Sequence, residues 1–254
     1  MTRVTRSGTV CLALIHVLAS AGASPDRAHP VSPPPEQSAA DRSEYLADLA
    51  GTLDERWPNN RMVTVVCHGH SVPAGYFRTP EVRPFDSYPH LTHQLVQAHY
   101  PTSMVEFIRT GIGGEHAEQG AARFETDVLA KKPDVVSIDY ALNDRSIGLE
   151  RARAAWTRMI EQAKASGARV ILLTPTPDLS ADLNDPADPL NRHAQQVRDL
   201  AREHGVGLVD SLSLFREAQA RGATPKSLMS QANHPNRSGH ELVARGLADW
   251  FIVR

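Results

Sequence analysis

Short apolar runs recur along the chain from residue 62 onward: MVTVVC (62–67), VEFI (105–108), DVVSIDY (134–140), RVILLT (169–174) and VGLVD (206–210). Runs of this length, rich in Val and Ile and bounded by turn residues, predict buried strands. Between them the period lengthens. At 150–166, Ala152, Ala155, Trp156, Met159, Ile160 and Ala163 fall on one side of a helix that Gly167 ends, and a second helical pattern covers about 190–204 and stops at Gly205. A third starts at Ser238-x-x-Glu241 and carries Leu242, Leu247, Trp250 and Phe251. Upstream, Asp41 with Glu44 resembles a capping box, and Leu46, Leu49, Ala50, Leu53 and Trp57 share a face before Pro58. Strands alternating with helices predict βαβ units, hence an α/β protein with one doubly wound domain over 41–254. Its parallel sheet of about five strands should be covered on both faces. Ligands of such sheets bind beyond the carboxyl ends of the strands, so the residues that follow each strand should carry the chemistry.

The first 40 residues obey neither period. Arg3 and Arg6 precede an apolar stretch from Val10 to Leu18, and small residues fill 19–23. That is the layout of a secretory signal peptide over 1–23, too short to span a bilayer of about 30 Å as a lasting anchor. A secreted or periplasmic location with no stable membrane anchor in the mature chain is the expectation. Residues 24–40 are Pro-rich and read as an extended linker. Over the 254 residues, 41% hydrophobic and 22% charged is the composition of a soluble globular protein, which excludes a disordered or fibrous chain. Lys+Arg 27 against Asp+Glu 29, with no basic block, argues against nucleic acid as a partner. Cys11 would leave with the signal peptide, so Cys67 remains as a lone thiol within the first strand, where it reads as a small core residue.

The strand ends carry Gly69-His70-Ser71 with Gly75, then Gly111-Ile112-Gly113-Gly114-Glu115, then Ala141-Leu142-Asn143-Asp144-Arg145. Before the last helix stands His234-Pro235-Asn236 with Gly239-His240. Together these are the parts of an acyl-transfer site: a serine on a Gly-flanked turn, glycines that expose backbone N–H groups, an amide donor and a histidine base. A metal site is the competing reading, because His68 and His70, with His90, His93 and Asp139, offer the H-x-H spacing that suits zinc. Enzymes built on that motif need more strands than this chain supplies, so no metal or cofactor is expected.

In their order and spacing the four blocks resemble those of the SGNH, or GDSL-like, hydrolases, over about residues 61–253. The resemblance implies a flavodoxin-like three-layer sandwich and esterase activity without a metal. It implies Ser71 as nucleophile, His234 as general base, and an oxyanion hole from the backbone N–H groups of Ser71 and Gly114 and the Asn143 side chain. An α/β-hydrolase is a poorer match, since that fold wants glycine two residues after the serine, where Pro73 stands. Three positions depart from the SGNH pattern. His70 replaces the aspartate before the serine, Ala141 replaces a glycine, and Gln231 stands where the triad acid is expected, three residues before His234. The sequence leaves open whether Gln231 or a backbone carbonyl orients His234 in a Ser–His dyad, or a carboxylate such as Glu115 or Asp210 replaces the acid. The remaining reading is a decayed site that binds glycan without cleaving it. Asp144 and Arg145 read as loop-holding residues and His240 as structural. The expected substrate is a small acyl ester, most simply an O-acetyl ester on carbohydrate, with a lipid or thioester acyl hydrolase as the alternative.

Overall fold

The five apolar runs are strands β1 (Met62–Gly69), β2 (Met104–Arg109), β3 (Val135–Asp139), β4 (Arg169–Leu173) and β5 (Gly207–Val209). All pair in parallel, in the order β2-β1-β3-β4-β5. The computed structural model describes residues 39–252, so the expected signal peptide and nearly all of the expected linker lie outside the described residues. Ala40, inside the predicted linker, already donates its N–H to Val206 O at 3.2 Å.

The strands read as unbroken apolar runs because both faces of the sheet are covered. Val63, Val65 and Cys67 point into one cluster with Ile171 and Leu173, whereas Val66, Val136, Ile138, Val170 and Leu172 point into another. Only the edge strand β2 shows alternation, with Met104 and Glu106 exposed. The helices are α1 (Ala47–Asp54), α2 (Ser71–Ala74), α3 (Tyr88–His99), α4 (Ala117–Ala122), α5 (Phe124–Asp127), α6 (Ala141–Asp144), α7 (Leu149–Ala165), α8 (Pro189–His204), α9 (Ser211–Ala220), α10 (Pro225–Leu228) and α11 (Arg237–Ala248). Between α10 and α11 runs a short antiparallel hairpin, β6 (Met229–Gln231) and β7 (His234–Pro235). Helices α1, α3, α9 and α11 cover the first face, through Leu53, Leu91, Phe215 and Val243 among others. Helices α4, α5, α7 and α8 cover the second. In α7, Trp156, Met159 and Ile160 are almost wholly buried, each contributing about 1.5–3 kcal/mol by leaving water.

Two local expectations change. Asp41 caps no helix directly, because its Oδ1 takes the N–H and hydroxyl of Ser43 in a tight turn, and α1 begins only at Ala47. The last helix is capped by Asn236, whose Oδ1 accepts the Gly239 N–H at 3.1 Å, not by Ser238. Helix α3, which no apolar period announced, begins at Tyr88 with Pro89 in the first turn, where the missing N–H has no partner to lose. The sheet order reverses between β1 and β3, so the crevice expected of a doubly wound sheet opens where these two strands end.

Candidate active site

Directly after β1 the chain turns sharply into the single turn α2. His70 caps it by accepting the Val72 N–H at its Nδ1 (3.2 Å). Gly75, at φ +93°, closes it by donating to the carbonyls of Ser71 and Val72. A side chain at that φ would be strained, so glycine is needed there. The turn presents Ser71 at the carboxyl edge of the sheet, 6% exposed.

The hairpin β6–β7 brings His234 to the same place from 163 residues away, its Nε2 2.9 Å from Ser71 Oγ. Side-chain bonds hold the hairpin in place. Ser230 Oγ donates to Phe77 O (2.6 Å), Arg78 Nε to Ser230 O (3.1 Å), and the Thr79 N–H to Gln231 Oε1 (3.0 Å). On its other flank the Leu179 N–H donates to Ala232 O at 2.8 Å. Burial pushes the His234 pKa below its ordinary value and the neighbouring His70 adds to the effect, while the Phe77 carbonyl opposes both. A neutral imidazole at pH 7 is the state a general base requires.

None of the side chains expected to orient His234 touches it. Gln231 turns away to Thr79 and Asn233, its Nε2 donating to Asn233 Oδ1 at 2.9 Å. Glu115 is committed to Arg123 (2.6 Å) and accepts the Tyr140 hydroxyl. Asp210 caps α9 by accepting the Ser213 N–H and pairs with Arg198 at 2.7 Å. In each case a nearer donor or cation takes the acceptor. Among the described residues His234 Nδ1 is buried without a hydrogen-bond partner, and the Phe77 carbonyl is the main-chain acceptor beside the ring.

The donors expected for an oxyanion lie in the segments that follow β1, β2 and β3. Among the described residues, the backbone N–H groups of Ser71 and Gly114 donate to no protein acceptor. Gly114 lies at φ +80°, and a Cβ there would meet nothing, so its backbone conformation and not space requires glycine. Asn143, in α6 after β3, donates one Nδ2 hydrogen to Glu115 O at 2.9 Å and keeps a second for a ligand. Its neighbour Asp144 is fully buried, accepting the Trp156 Nε1–H and the Ala117 N–H at 2.7 Å each, and burial pushes its pKa up to about 6. Arg145 pairs with Asp178 at 2.6 Å, and the buried His240 accepts the Tyr88 N–H, so both serve the frame.

The metal alternative finds no convergence. His68 is bound between Thr110, Gly120 O and the Tyr140 hydroxyl, His90 contacts Gln94, and His93 stacks on Phe107. Cys67 is buried and its thiol is pushed up to about 12, so it is inert. Sequence reasoning missed Phe77 and Tyr88, which carry no motif, and saw Asp139 only as a metal ligand. The end-to-end register of β1 on β3, which pairs Gly69 with Asp139, is the signal that places Asp139 beside the serine turn.

Comparison with known proteins agrees with this fold. Residues 67–242 match the sequence model of the GDSL-like lipase/acylhydrolase family. An acetylxylan esterase of Geobacillus stearothermophilus is 28% identical over 164 residues, covering 59% of this chain and 74% of the relative. The uncharacterized lipoprotein YqeF of Bacillus subtilis (strain 168) is 27% identical over 182 residues, covering 59% and 75%. The crystal structure of Axe2, an acetylxylan esterase from Geobacillus stearothermophilus, superposes with a TM-score of 0.64 at 25% identity, over 74% of this chain and 94% of that one.

Proposed function

The chain belongs to the GDSL-like lipase/acylhydrolase family and is a serine hydrolase of carboxylic esters, and from that premise we propose that it is an exported O-acetyl esterase acting on carbohydrate through Ser71 and His234. The observation that carries the catalytic part is the 2.9 Å contact between Ser71 Oγ and His234 Nε2 at the reversal point of the sheet. Ser71 Oγ attacks the acyl carbonyl while its proton passes to His234 Nε2. The carbonyl oxygen, now negative, is held by the N–H groups of Ser71 and Gly114 and the free Nδ2 hydrogen of Asn143. Collapse of the tetrahedral intermediate breaks the bond to the alcohol oxygen, which takes the proton from His234. Water, deprotonated by the same imidazole, then releases the acid and restores Ser71.

The acetylxylan esterase among the relatives supports acetylated carbohydrate as substrate. Export rests on the pattern of residues 1–23, and the lipoprotein among the relatives is in keeping with it. A fluorophosphonate should label the wild-type chain once and leave Ser71→Ala unlabelled. Acetate should be released from acetylated xylan, and p-nitrophenyl esters should lose rate as the acyl chain lengthens. Labelling retained in Ser71→Ala refutes the nucleophile, and a preference for long acyl chains refutes the substrate class.

A further inference from the structure

Ser71 stands between two imidazoles, and the proposed mechanism uses only one. His70 Nδ1 lies 3.4 Å from Ser71 Oγ. Because that nitrogen accepts the Val72 N–H, the proton of the neutral ring belongs on Nε2. His70 Nε2 faces Asp139 Oδ1 at 3.4 Å, and neither atom has a hydrogen-bond partner among the described residues. Both side chains are almost wholly buried, and the other Asp139 oxygen accepts the Tyr88 hydroxyl at 3.2 Å. A carboxylate buried with so few donors is costly, and an apolar pair of similar volume would fill the space more cheaply. Its placement against the nucleophile gives it a use.

We propose that His70 and Asp139 are a positioning pair for Ser71 that also supplies the buried negative charge that Gln231 fails to provide beside His234. The inference rests on the Ser71–His234 reading above. Asp139 fixes the ring and tautomer of His70, and His70 in turn walls off the rotamer of Ser71 that would swing its hydroxyl from His234. When the serine proton reaches His234 Nε2, the imidazolium gains a carboxylate at most about 12 Å away through the contacts Asp139–His70–Ser71–His234, a separation at which an effective dielectric of about 20 couples two unit charges by about tenfold in rate or one pH unit.

The ionisable groups around the pair are Cys67 from β1, Tyr88 from α3, Tyr140 after β3 (its ring 6.5 Å from that of His70 and its hydroxyl kept neutral by burial), Asp144 from α6, His240 from α11 and His234 itself. Burial keeps Cys67, Tyr88 and His240 neutral through the acid range, while Asp144 titrates near pH 6. Each variant is therefore compared with wild type at every pH. An anion at position 139 favours protonated His234, so removing it lowers the pH at which the base is lost.

The test is steady-state kinetics of Asp139→Asn and His70→Asn across pH 4.5–8, with thermal unfolding of each. For Asp139→Asn, kcat should fall about tenfold at unchanged KM, and the acid limb of kcat/KM should move toward lower pH by up to about one unit. His70→Asn, which can still accept the Val72 N–H, should lose kcat to a similar degree, and the double variant should be little worse than either single one. A role confined to packing would lower Tm and leave the acid limb in place. A folded Asp139→Asn with kcat and acid limb within about twofold and 0.2 pH units of wild type overturns the proposal. If that variant does not fold, wild-type kcat in His70→Asn overturns it equally. Ser71→Ala and His234→Ala separate the two levels. Activity surviving in either sinks the Ser71–His234 reading, whereas inactive controls beside a wild-type Asp139→Asn or His70→Asn sink only this one.

Discussion

Replacing Asn143 by alanine tests the oxyanion assignment most directly. The amide makes one internal bond, to Glu115 O at 2.9 Å, which ties α6 to the glycine loop that carries Gly114. Its remaining hydrogen is the one that the proposed mechanism gives to the substrate oxygen. Loss of a single donor of this kind typically costs about 10²–10³ in kcat, or about 2.7–4 kcal/mol of transition-state stabilisation. The same substitution removes one half-buried hydrogen bond, about 0.5–1.5 kcal/mol of stability, which for a domain of this size lowers Tm by roughly 1–6 °C. The two effects differ enough to be told apart. Initial rates on p-nitrophenyl acetate well below the melting temperature should show kcat reduced by at least about a hundredfold while KM changes by less than about threefold. That pattern follows because the donor acts on charge that develops only as the carbonyl is attacked. A folded Asn143→Ala protein with kcat within about threefold of wild type would refute the assignment and leave Asn143 as a loop tie.

Two further outcomes follow from the same coordinates. Because Gln231 binds Thr79 and Asn233 and not the imidazole, Gln231→Ala should lose no more than about tenfold in kcat whereas His234→Ala should lose several orders of magnitude; equal losses in the two variants would show that Gln231 does orient the base. Stability should fall below neutral pH. His68 and His240 are held neutral with pKa values pushed down to about 3, so the stability they contribute above pH 6.5 is lost as pH falls, at up to about 1.4 kcal/mol per unit each. Asp144, raised to about 6, offsets roughly one of the two between pH 6 and 4. Thermal melts from pH 7.5 to 4.5 should show a falling Tm with a shallower slope in His68→Gln, and a flat profile would contradict the burial argument.

The sheet was legible because both its faces are buried. Each strand appears as a short run dominated by apolar residues, and all five begin and end within two residues of the predicted bounds. Helix α7 was equally clear, since its six apolar positions are the six that the fold buries. What escaped were elements with too few residues to show a period, above all the three- and two-residue strands of the hairpin that delivers His234. Helix α3 escaped because Pro89 reads as a breaker until its place in the first turn is known. Within the site, Ser71, Gly114, Asn143 and His234 were visible as residue types at strand ends. Their orienting partners were not, because Glu115, Asp210 and Gln231 are each claimed by a donor or cation whose position depends on tertiary packing. Asp139 and His70 were visible together only as metal-ligand candidates, since it takes the pairing of β1 with β3 to set the one against the other beside the serine.

The missing acid bears on which leaving group the site can expel. In a serine protease, exchanging the triad aspartate for an amide costs about 10⁴ in kcat, because the histidine is left in the wrong tautomer and its cation unstabilised. Here the two losses separate. For Nε2 to accept from Ser71, the His234 proton must reside on Nδ1, and the Phe77 carbonyl, fixed by the Ser230 hydroxyl, is the acceptor beside the ring, although Nδ1 makes no hydrogen bond among the described residues. A carbonyl carries no net charge, so the imidazolium remains less stable than in a full triad, and a carboxylate at the distance of Asp139 recovers only about one of the lost orders. A base held to a low pKa gives up its proton readily, but little of it is protonated at any moment. An amine leaving group depends on that proton far more than an alcohol does, because an alkoxide departs from a tetrahedral intermediate more easily than an amide anion. The geometry around His234 therefore suits esters and disfavours amides. Hydrolysis of p-nitrophenyl acetate should exceed that of the matching anilide by more than the intrinsic difference in their reactivity, and a ratio at or below that intrinsic value would mean that His234 has an acid partner after all.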